Sequence, residues 1–147
     1  MEDKPKVIEG GLALDDRGEL SFVNDFDFSE VKRFYMVSNH EKGFVRAWHG
    51  HKYEAKYVMA VKGSALVGAV KVEGWENPSR TIWPTKYLLS DKKPEILFIP
   101  AGYANGFMTL SDDAKLIFFS TRSLKESEGD DYRYHFKHWN IWEVVRR

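Results

Sequence analysis

Two histidines, a carboxylate, an arginine and two lysines are concentrated in one stretch of the chain, residues 45–56 (VRAWHGHKYEAK). If residues 45–51 form a β-strand, alternation places four side chains on one face: Val45, Ala47, His49 and His51. Two imidazoles on one face can furnish a cleft with a metal site or a general base, whereas on an exposed strand they would only be solvated. This stretch is therefore the candidate site.

A mononuclear metal site needs three or four nitrogen or oxygen ligands that converge from adjacent strands. His49, His51 and Glu54 could supply three of them. The natural fourth ligand would follow the predicted strand 95–99, at the position of Asn105, and a neutral amide is a poor substitute for an imidazole. We therefore expect no metal and no other cofactor.

The metal-free interpretation makes His49 a general base. A histidine that titrates near neutral pH can take a proton from a carbon next to a carbonyl group. The enolate that forms needs a cation or a hydrogen-bond donor, for which Lys56 is the local candidate and His51 the alternative. The reaction also needs an acid on the opposite face of the substrate, and the sequence does not choose among four tyrosines: Tyr35, Tyr103, Tyr132 and Tyr134.

Arg46 and Arg33 are candidates for holding phosphate groups, because a guanidinium pairs with phosphate oxygens in a bidentate geometry. The chain as a whole has no excess of positive charge. Lys+Arg and Asp+Glu both number 22, so no global field would attract nucleic acid or an anionic membrane, and neither partner is expected.

The elements that must position these residues read as β-strands. No segment shows a long apolar stripe of helical period, and turn signals divide the chain into about ten short strands at spacings of roughly 8–12 residues. This pattern predicts an all-β fold, for which a jelly-roll β-barrel is the preferred architecture. Three hairpins are predicted, the second through a Lys62-Gly63 turn and the third through a turn at 111–113. A strand interrupted by Pro84 is predicted at a sheet edge.

Length and composition set further bounds. A chain of 147 residues suits one domain, 1–147. The absence of cysteine excludes disulfides and thiol catalysis, and together with an N-terminus that lacks an apolar signal it predicts a cytoplasmic location. Aromatic residues make up 15% of the chain, a share that suits a packed β core, an oligomer interface or a ring-stacking ligand site.

Several short motifs, taken in order, resemble one family. Arg46-Ala47-Trp48-His49, Ala55-Lys56-Tyr57-Val58 and Lys62-Gly63 resemble the R-G-x-H, G-K-L-V and R-G motifs of the dTDP-4-dehydrorhamnose 3,5-epimerase-like cupins. Residues 99–107 (IPAGYANGF) are similar to their I-P-x-G-F-A-H-G-F turn, and residues 110–114 (LSDDA) to the L-S-D-x-A that follows. Residues 46–52 are also similar to the R-G-x-H-x-H-K motif of the sugar 3,4-ketoisomerases, a sister group on the same jelly roll.

The resemblance implies a homodimeric, metal-independent cupin that acts on a nucleotide-diphospho-4-keto-6-deoxy sugar. In that family pattern His49 is the base that removes the proton next to the ketone, and Lys56 stabilises the enolate oxygen. Arg46 contacts the sugar or the diphosphate. Further substrate contacts are expected from the other candidates of the site: Arg33, Tyr35 and Asn105.

Three positions depart from the family pattern. The histidine of the I-P-x-G turn is Asn105 here, no tyrosine occurs at 121–124 where the acid is expected, and residues 134–140 contain no aspartate to orient the base. The proton donor is therefore unassigned. A single-carbon epimerase or a sugar 3,4-ketoisomerase is the alternative activity, and His51 favours the ketoisomerase. A cupin that binds a sugar or nucleotide without turnover is the third interpretation.

Overall fold

A computed structural model describes residues 3–147, which form twelve β-strands and one short helix. The bounds in chain order are β1 (Lys6–Glu9), β2 (Gly11–Asp15), β3 (Gly18–Phe22), β4 (Arg33–Ser38), β5 (Val45–His51), β6 (Lys56–Lys62), β7 (Ser64–Lys71), β8 (Thr85–Ser90), β9 (Glu95–Ile99), β10 (Tyr103–Thr109), β11 (Lys115–Ser120), α1 (Leu124–Ser127) and β12 (Tyr132–Arg133). Within the described residues, no helix has the length and hydropathy needed to cross a bilayer.

Ten of the strands form two antiparallel sheets that pack face to face. The first sheet has the order β1-β9-β6-β11-β4 and the second the order β12-β5-β10-β7-β8, while β2 and β3 form a separate hairpin. A core of apolar side chains from both inner faces lies between the sheets, with Val58, Leu97 and Leu116 from the first and Val67 and Leu89 from the second. This arrangement confirms the predicted all-β jelly-roll fold.

Two of the three predicted hairpins are wrong. Strands β6 and β7, and likewise β10 and β11, follow one another through short turns but belong to different sheets. Gly63, with a φ of 66°, makes the first of these crossings. A turn signal shows where the chain reverses and cannot show whether the flanking strands bond to each other. The β2–β3 hairpin and the edge position of β8, which begins after Pro84, are confirmed.

The predicted strand 45–51 is confirmed as β5, but it contains a β-bulge. His49 lies opposite Asn105 of β10, and Arg46 lies opposite Phe107. Two residues of β5 therefore face the single residue Gly106. A Cβ atom at Gly106 would collide with the bulged segment, so glycine is required there.

The bulge changes which side chains of β5 face the interior. Arg46 and the two histidines line the cavity between the sheets, whereas Trp48 is fully buried on the outer face of the second sheet. The prediction that four side chains share one face is therefore correct for His49 and His51. It is wrong for Val45 and Ala47, which pack beside Trp48 on the outer face. The extra residue shifts the alternation by one position between Arg46 and Trp48.

The C-terminal segment covers the outer face of the second sheet. It begins with the two-residue β12 and then continues without regular structure, and its apolar side chains pack around Trp48: Trp139, Ile141 and Trp142. Within this aromatic segment only the brief β12 is regular structure. The helix α1 was not predicted from the sequence.

Asp130 ties the start of this segment to the loop between β5 and β6. Its carboxylate accepts hydrogen bonds from the backbone N–H groups of Lys52 at 2.7 Å, Tyr53 at 3.0 Å and Glu54 at 3.0 Å. Its carbonyl oxygen lies 2.6 Å from Nδ1 of His51. The Asp130 side chain therefore fixes the backbone that carries several residues of the cavity.

Substitution Asp130→Asn should lower the free energy of unfolding by about 3 kcal/mol, because charge-assisted hydrogen bonds to three backbone donors are weakened and an amide N–H₂ faces N–H groups. Asp131→Asn is the matched control, since the Asp131 side chain is 41% exposed and should change stability by less than about 0.5 kcal/mol. Urea denaturation followed by tryptophan fluorescence measures both. Equal losses in the two variants would contradict the anchoring role of Asp130.

Candidate active site

A cavity of about 640 Å³ lies between the two sheets. All seven residues predicted for the site line it: Arg33, Tyr35, Arg46, His49, His51, Lys56 and Asn105. They come from the three consecutive strands β4, β5 and β6 and from the more distant β10, and the two sheets bring these strands to one cavity. The structure therefore brings the predicted residues together in one place.

The cavity has two walls of different character. The cationic wall, on the first sheet, consists of three of these residues from β4 and β6: Arg33, Tyr35 and Lys56. The histidine wall, on the second sheet, consists of four residues from β5 and β10: Arg46, His49, His51 and Asn105. A ligand between the sheets has an imidazole on one side and an ammonium group on the other.

His49 is the open imidazole of the histidine wall, with 34% of its side chain exposed. Burial lowers the pKa of His49 to about 4, assisted by the nearby charges of Lys56 and Arg133 and opposed by Asp131. His49 is therefore neutral at pH 7, with a lone pair available to accept a proton.

The acidic partner of His49 lies earlier in the chain than the sequence predicted. Asp131 Oδ1 is 4.0 Å from His49 Nδ1, and Asp131 Oδ2 accepts a hydrogen bond from Arg133 Nε at 3.0 Å. Pairing of β12 with β5 places Arg133 opposite His49 and brings the aspartate to the site. The sequence pattern placed this acidic residue at 134–140, and the aspartate that meets His49 is instead the second of the pair Asp130-Asp131.

His51 differs from His49 because both of its ring nitrogens face protein groups. Nδ1 donates to the carbonyl oxygen of Asp130 at 2.6 Å, since a carbonyl can only accept. Nε2 is buried without a hydrogen-bond partner and lies 3.7 Å from Oε2 of Glu54. Burial and then the charge of Lys56 lower the pKa of His51. With a side chain only 8% exposed, His51 is much less accessible to a ligand than His49.

Lys56 presents its ammonium group from the cationic wall. Its Nζ atom lies 3.4 Å from Oε2 of Glu54, a buried carboxylate that the sequence interpretation had weighed only as a metal ligand. The same atom lies 5.6 Å from the centre of the Tyr35 ring and 5.8 Å from that of Phe118. These contacts hold a positive charge inside the cavity.

The two arginines of the cavity are used differently. Arg33 points inward, with Nη2 3.3 Å from Glu54 Oε1 and Nε donating to the carbonyl oxygen of Arg122 at 3.1 Å. Arg46 is exposed, and its Nε donates to Asn39 Oδ1 at 2.7 Å. Arg46 is therefore the better placed of the two for an anionic ligand.

The remaining predictions concern a metal site and the acid. Within residues 3–147, no three His, Asp or Glu side chains form a group that could hold a metal ion, and the proposed ligands His49, His51 and Glu54 are no exception. Of the four tyrosines weighed as the acid, Tyr35 lines the cavity, while Tyr134 donates to the carbonyl oxygen of Trp75 at 2.7 Å outside it. Tyr103 and Tyr132 also lie outside the cavity lining.

Comparison with known proteins gives the family. Residues 7–142 match the dTDP-4-dehydrorhamnose 3,5-epimerase family. The dTDP-4-dehydrorhamnose 3,5-epimerase of Salmonella typhimurium is 29% identical over 125 residues, which cover 78% of this chain and 67% of that protein.

Solved structures share the fold at low sequence identity. The dTDP-4-dehydrorhamnose 3,5-epimerase of Bacillus anthracis, with TDP and PPi bound, has a TM-score of 0.78 and 20% identity, and the match covers 97% of this chain and 86% of that chain. A 3,4-ketoisomerase from Helicobacter canadensis has a TM-score of 0.69 and 18% identity, covering 96% and 98% of the two chains. With the family match spanning nearly the whole chain, this protein belongs to the dTDP-4-dehydrorhamnose 3,5-epimerase family and is an enzyme of the isomerase class.

Proposed function

We propose that this enzyme epimerises a nucleotide-diphospho-4-keto-6-deoxy sugar at C3, C5 or both, by metal-independent proton abstraction next to the ketone. The observation that carries the proposal is the placement of a neutral, accessible His49 opposite a charged Lys56 across one cavity. Family membership supports the substrate class, as does the Bacillus anthracis structure with TDP and PPi bound. Such sugars supply deoxysugar units for surface polysaccharides.

In the proposed first step, the carbon–hydrogen bond next to the ketone breaks and its electron pair forms the enolate. The proton passes to Nε2 of His49, because Nδ1 faces Asp131. Asp131 then stabilises the imidazolium, and the ammonium group of Lys56 stabilises the enolate oxygen. Return of a proton to the other face of the same carbon inverts that centre.

The remaining residues of the cavity bind the substrate in this proposal. Arg46, exposed beside Asn39, holds the diphosphate. Asn105, whose amide N–H₂ points to the carbonyl oxygen of His49 at 3.5 Å, and Tyr35 contact the sugar. His51 and Arg33 support the site through Glu54.

A sugar 3,4-ketoisomerase acting on the same substrate class is the second candidate. The observation that favours it is the side chain at the position of the missing acid, because Leu124, which cannot donate a proton, lines the cavity. In a ketoisomerisation that proceeds on one face, the base returns the proton taken from C3 to C4 while the C3 hydroxyl proton passes to the C4 oxygen, so no acid on the opposite face is needed. The fold shared with the Helicobacter canadensis 3,4-ketoisomerase agrees with this alternative.

Incubation in deuterium oxide with a dTDP- or GDP-linked 4-keto-6-deoxyhexose should introduce deuterium at a carbon next to the ketone. His49→Ala should slow this exchange by about 10²–10⁴-fold, because the base is removed. His135→Ala, which changes an exposed histidine outside the cavity, is the control and should exchange at the wild-type rate.

NMR of the products then identifies the reaction. An inverted carbon indicates an epimerase, and a ketone moved to C3 indicates a ketoisomerase. If the wild-type protein incorporates no deuterium, or if His49→Ala exchanges as fast as wild type, the proposed chemistry is wrong. Ligand-dependent thermal stabilisation without exchange would indicate binding without turnover.

The value of kcat/KM should rise with pH through an acid limb near pH 4 and then stay level to neutrality, because His49 must be neutral and its pKa is about 4. Asp131→Asn should move this limb to lower pH, since the carboxylate raises the pKa of His49. Arg133→Gln should move it to higher pH, since the guanidinium lowers that pKa. Initial rates after brief exposure to each pH measure the limb, and a wild-type limb near pH 6.5 would contradict the assignment.

We also infer that the enzyme is a homodimer in the cytoplasm. The outer face of the first sheet is apolar, and on its edge strand β4 both Phe34 and Met36 are more than half exposed. Val61 of β6 extends the same face. An exposed apolar sheet face of this kind suits a second copy of the chain. The cytoplasm is proposed because the chain has no cysteine for the disulfides that are common in exported domains.

Light scattering after size-exclusion chromatography should give twice the monomer mass for the wild-type protein. The double substitution Phe34→Glu/Met36→Glu should produce monomers, because it places two carboxylates in the apolar face. Leu88→Glu is the control, since Leu88 is similarly exposed but lies on the edge strand of the other sheet. A monomeric wild type, or dissociation caused by Leu88→Glu alone, would contradict the proposed interface.

A further inference from the structure

Glu54 is a buried carboxylate that contacts Arg33 and His51 and has no part in the proposed proton transfer. Only 1% of its side chain is exposed, although it lies in the loop between β5 and β6. Its backbone N–H is fixed by the carboxylate of Asp130 at 3.0 Å. A charge in this position needs compensating partners, because an unpaired carboxylate is strongly disfavoured in a buried environment.

The two oxygens of Glu54 have different surroundings. Oε1 is anchored by the framework, with Arg33 Nη2 at 3.3 Å and a hydrogen bond donated by the hydroxyl of Ser127. Oε2 faces the cavity residues, with Lys56 Nζ at 3.4 Å and His51 Nε2 at 3.7 Å. The anchored oxygen fixes the direction of the other one.

Glu54 carries one negative charge and contacts two positively charged side chains. One carboxylate is shared by the two cations Arg33 and Lys56, so the cluster carries one net positive charge when His51 is neutral. Burial by itself raises the pKa of Glu54, but the charge of Lys56 and the hydrogen bond from Ser127, with smaller contributions from His51 and Ser120, outweigh it and leave the pKa below its ordinary value. The carboxylate is therefore ionised, and it holds Lys56 without neutralising it.

The position of the Lys56 ammonium group depends on few contacts. Its side chain has a flexible four-carbon stem. The rings of Tyr35 and Phe118 flank the ammonium group but provide no hydrogen-bond acceptor that would fix its position. Among the described residues, Glu54 is the acidic group within ion-pair distance of Nζ. Stabilisation of an enolate oxygen depends steeply on geometry, and a displacement of 1 Å can cost about 10²-fold in rate.

We propose that Glu54 is a positioning residue of this active site, which acts on the reaction through Lys56 by holding its ammonium group toward the substrate while Arg33 takes up part of the carboxylate charge. The effect on rate rests on the proposed isomerase function. The coupling between Glu54 and Lys56 is a property of the folded protein and does not depend on turnover.

A double-mutant cycle with Glu54→Gln and Lys56→Met tests the proposal. Glu54→Gln should lower kcat for deuterium exchange by about 10–100-fold with KM changed less than about 3-fold, because geometry at the enolate is lost and binding is kept. In the Lys56→Met background the same substitution should lower kcat by less than about 3-fold, since a residue that acts through Lys56 has nothing left to position. Equal losses in both backgrounds would overturn the proposal.

Glu126→Gln is the matched control, because Glu126 makes ion pairs with Lys32 at 2.8 Å and Arg122 at 3.5 Å outside the cavity. It should leave kcat and KM at wild-type values. A loss as large as that of Glu54→Gln would show that removal of any nearby carboxylate is sufficient, and would also overturn the proposal.

The urea midpoint of unfolding, measured in the same four proteins, separates the inference from the proposed function. Glu54→Gln should lower the midpoint in the wild-type background and lower it much less beside Lys56→Met, whose double variant keeps the net charge of the cluster. If the wild-type protein exchanges no deuterium, the proposed function fails, and this coupling still decides the inference. If Glu54→Gln does not fold, folding of the double variant supports the proposal. Failure of both to fold, while Lys56→Met folds, overturns it.

Discussion

The extra residue in β5 is the constraint on which the rest of the site depends. It lies opposite Gly106, where only a residue without a Cβ atom leaves room for the bulged segment. A regular strand would turn Arg46 and His49 to opposite faces, because they are three positions apart. With the bulge, both line the cavity, and Trp48 is free to pack against the C-terminal segment. One local irregularity therefore provides both an active-site wall and a hydrophobic anchor.

The facing walls divide the electrostatic work of the site. In the proposed reaction, positive charge on the cationic wall favours an enolate, and the same charge helps to keep His49 neutral. The base is thereby ready to accept a proton at neutral pH, although it is intrinsically weak. In the proposed mechanism, Asp131 offsets this weakness at the stage when the imidazolium forms. Burial makes each of these interactions stronger than it would be in water, so the jelly-roll interior contributes directly to the chemistry.

The sequence predicted the composition of the site better than its geometry. Strand 45–51 and the seven cavity residues follow from motifs and alternation, which are local properties. The bulge could not be predicted, because it depends on Gly106 in a partner strand. Asp131 was missed for a related reason, since pairing of β12 with β5 decides which acidic residue meets His49. The turns after β6 and β10 were located correctly, but sheet membership is set by long-range packing that a turn signal does not encode.

The contacts of Asp130 also bear on how the protein reaches its native state. Its partners in the β5–β6 loop and His51 are 76 to 79 residues earlier in the chain. Backbone hydrogen bonds between Trp48 and Tyr134 span a similar interval. Such contacts form late, because the entropy of closing a long loop must be overcome before they stabilise the chain. During synthesis, the strands of both walls emerge before the segment that completes them. The proposed site is thus complete only when residues 130–133 dock beside His49 and His51.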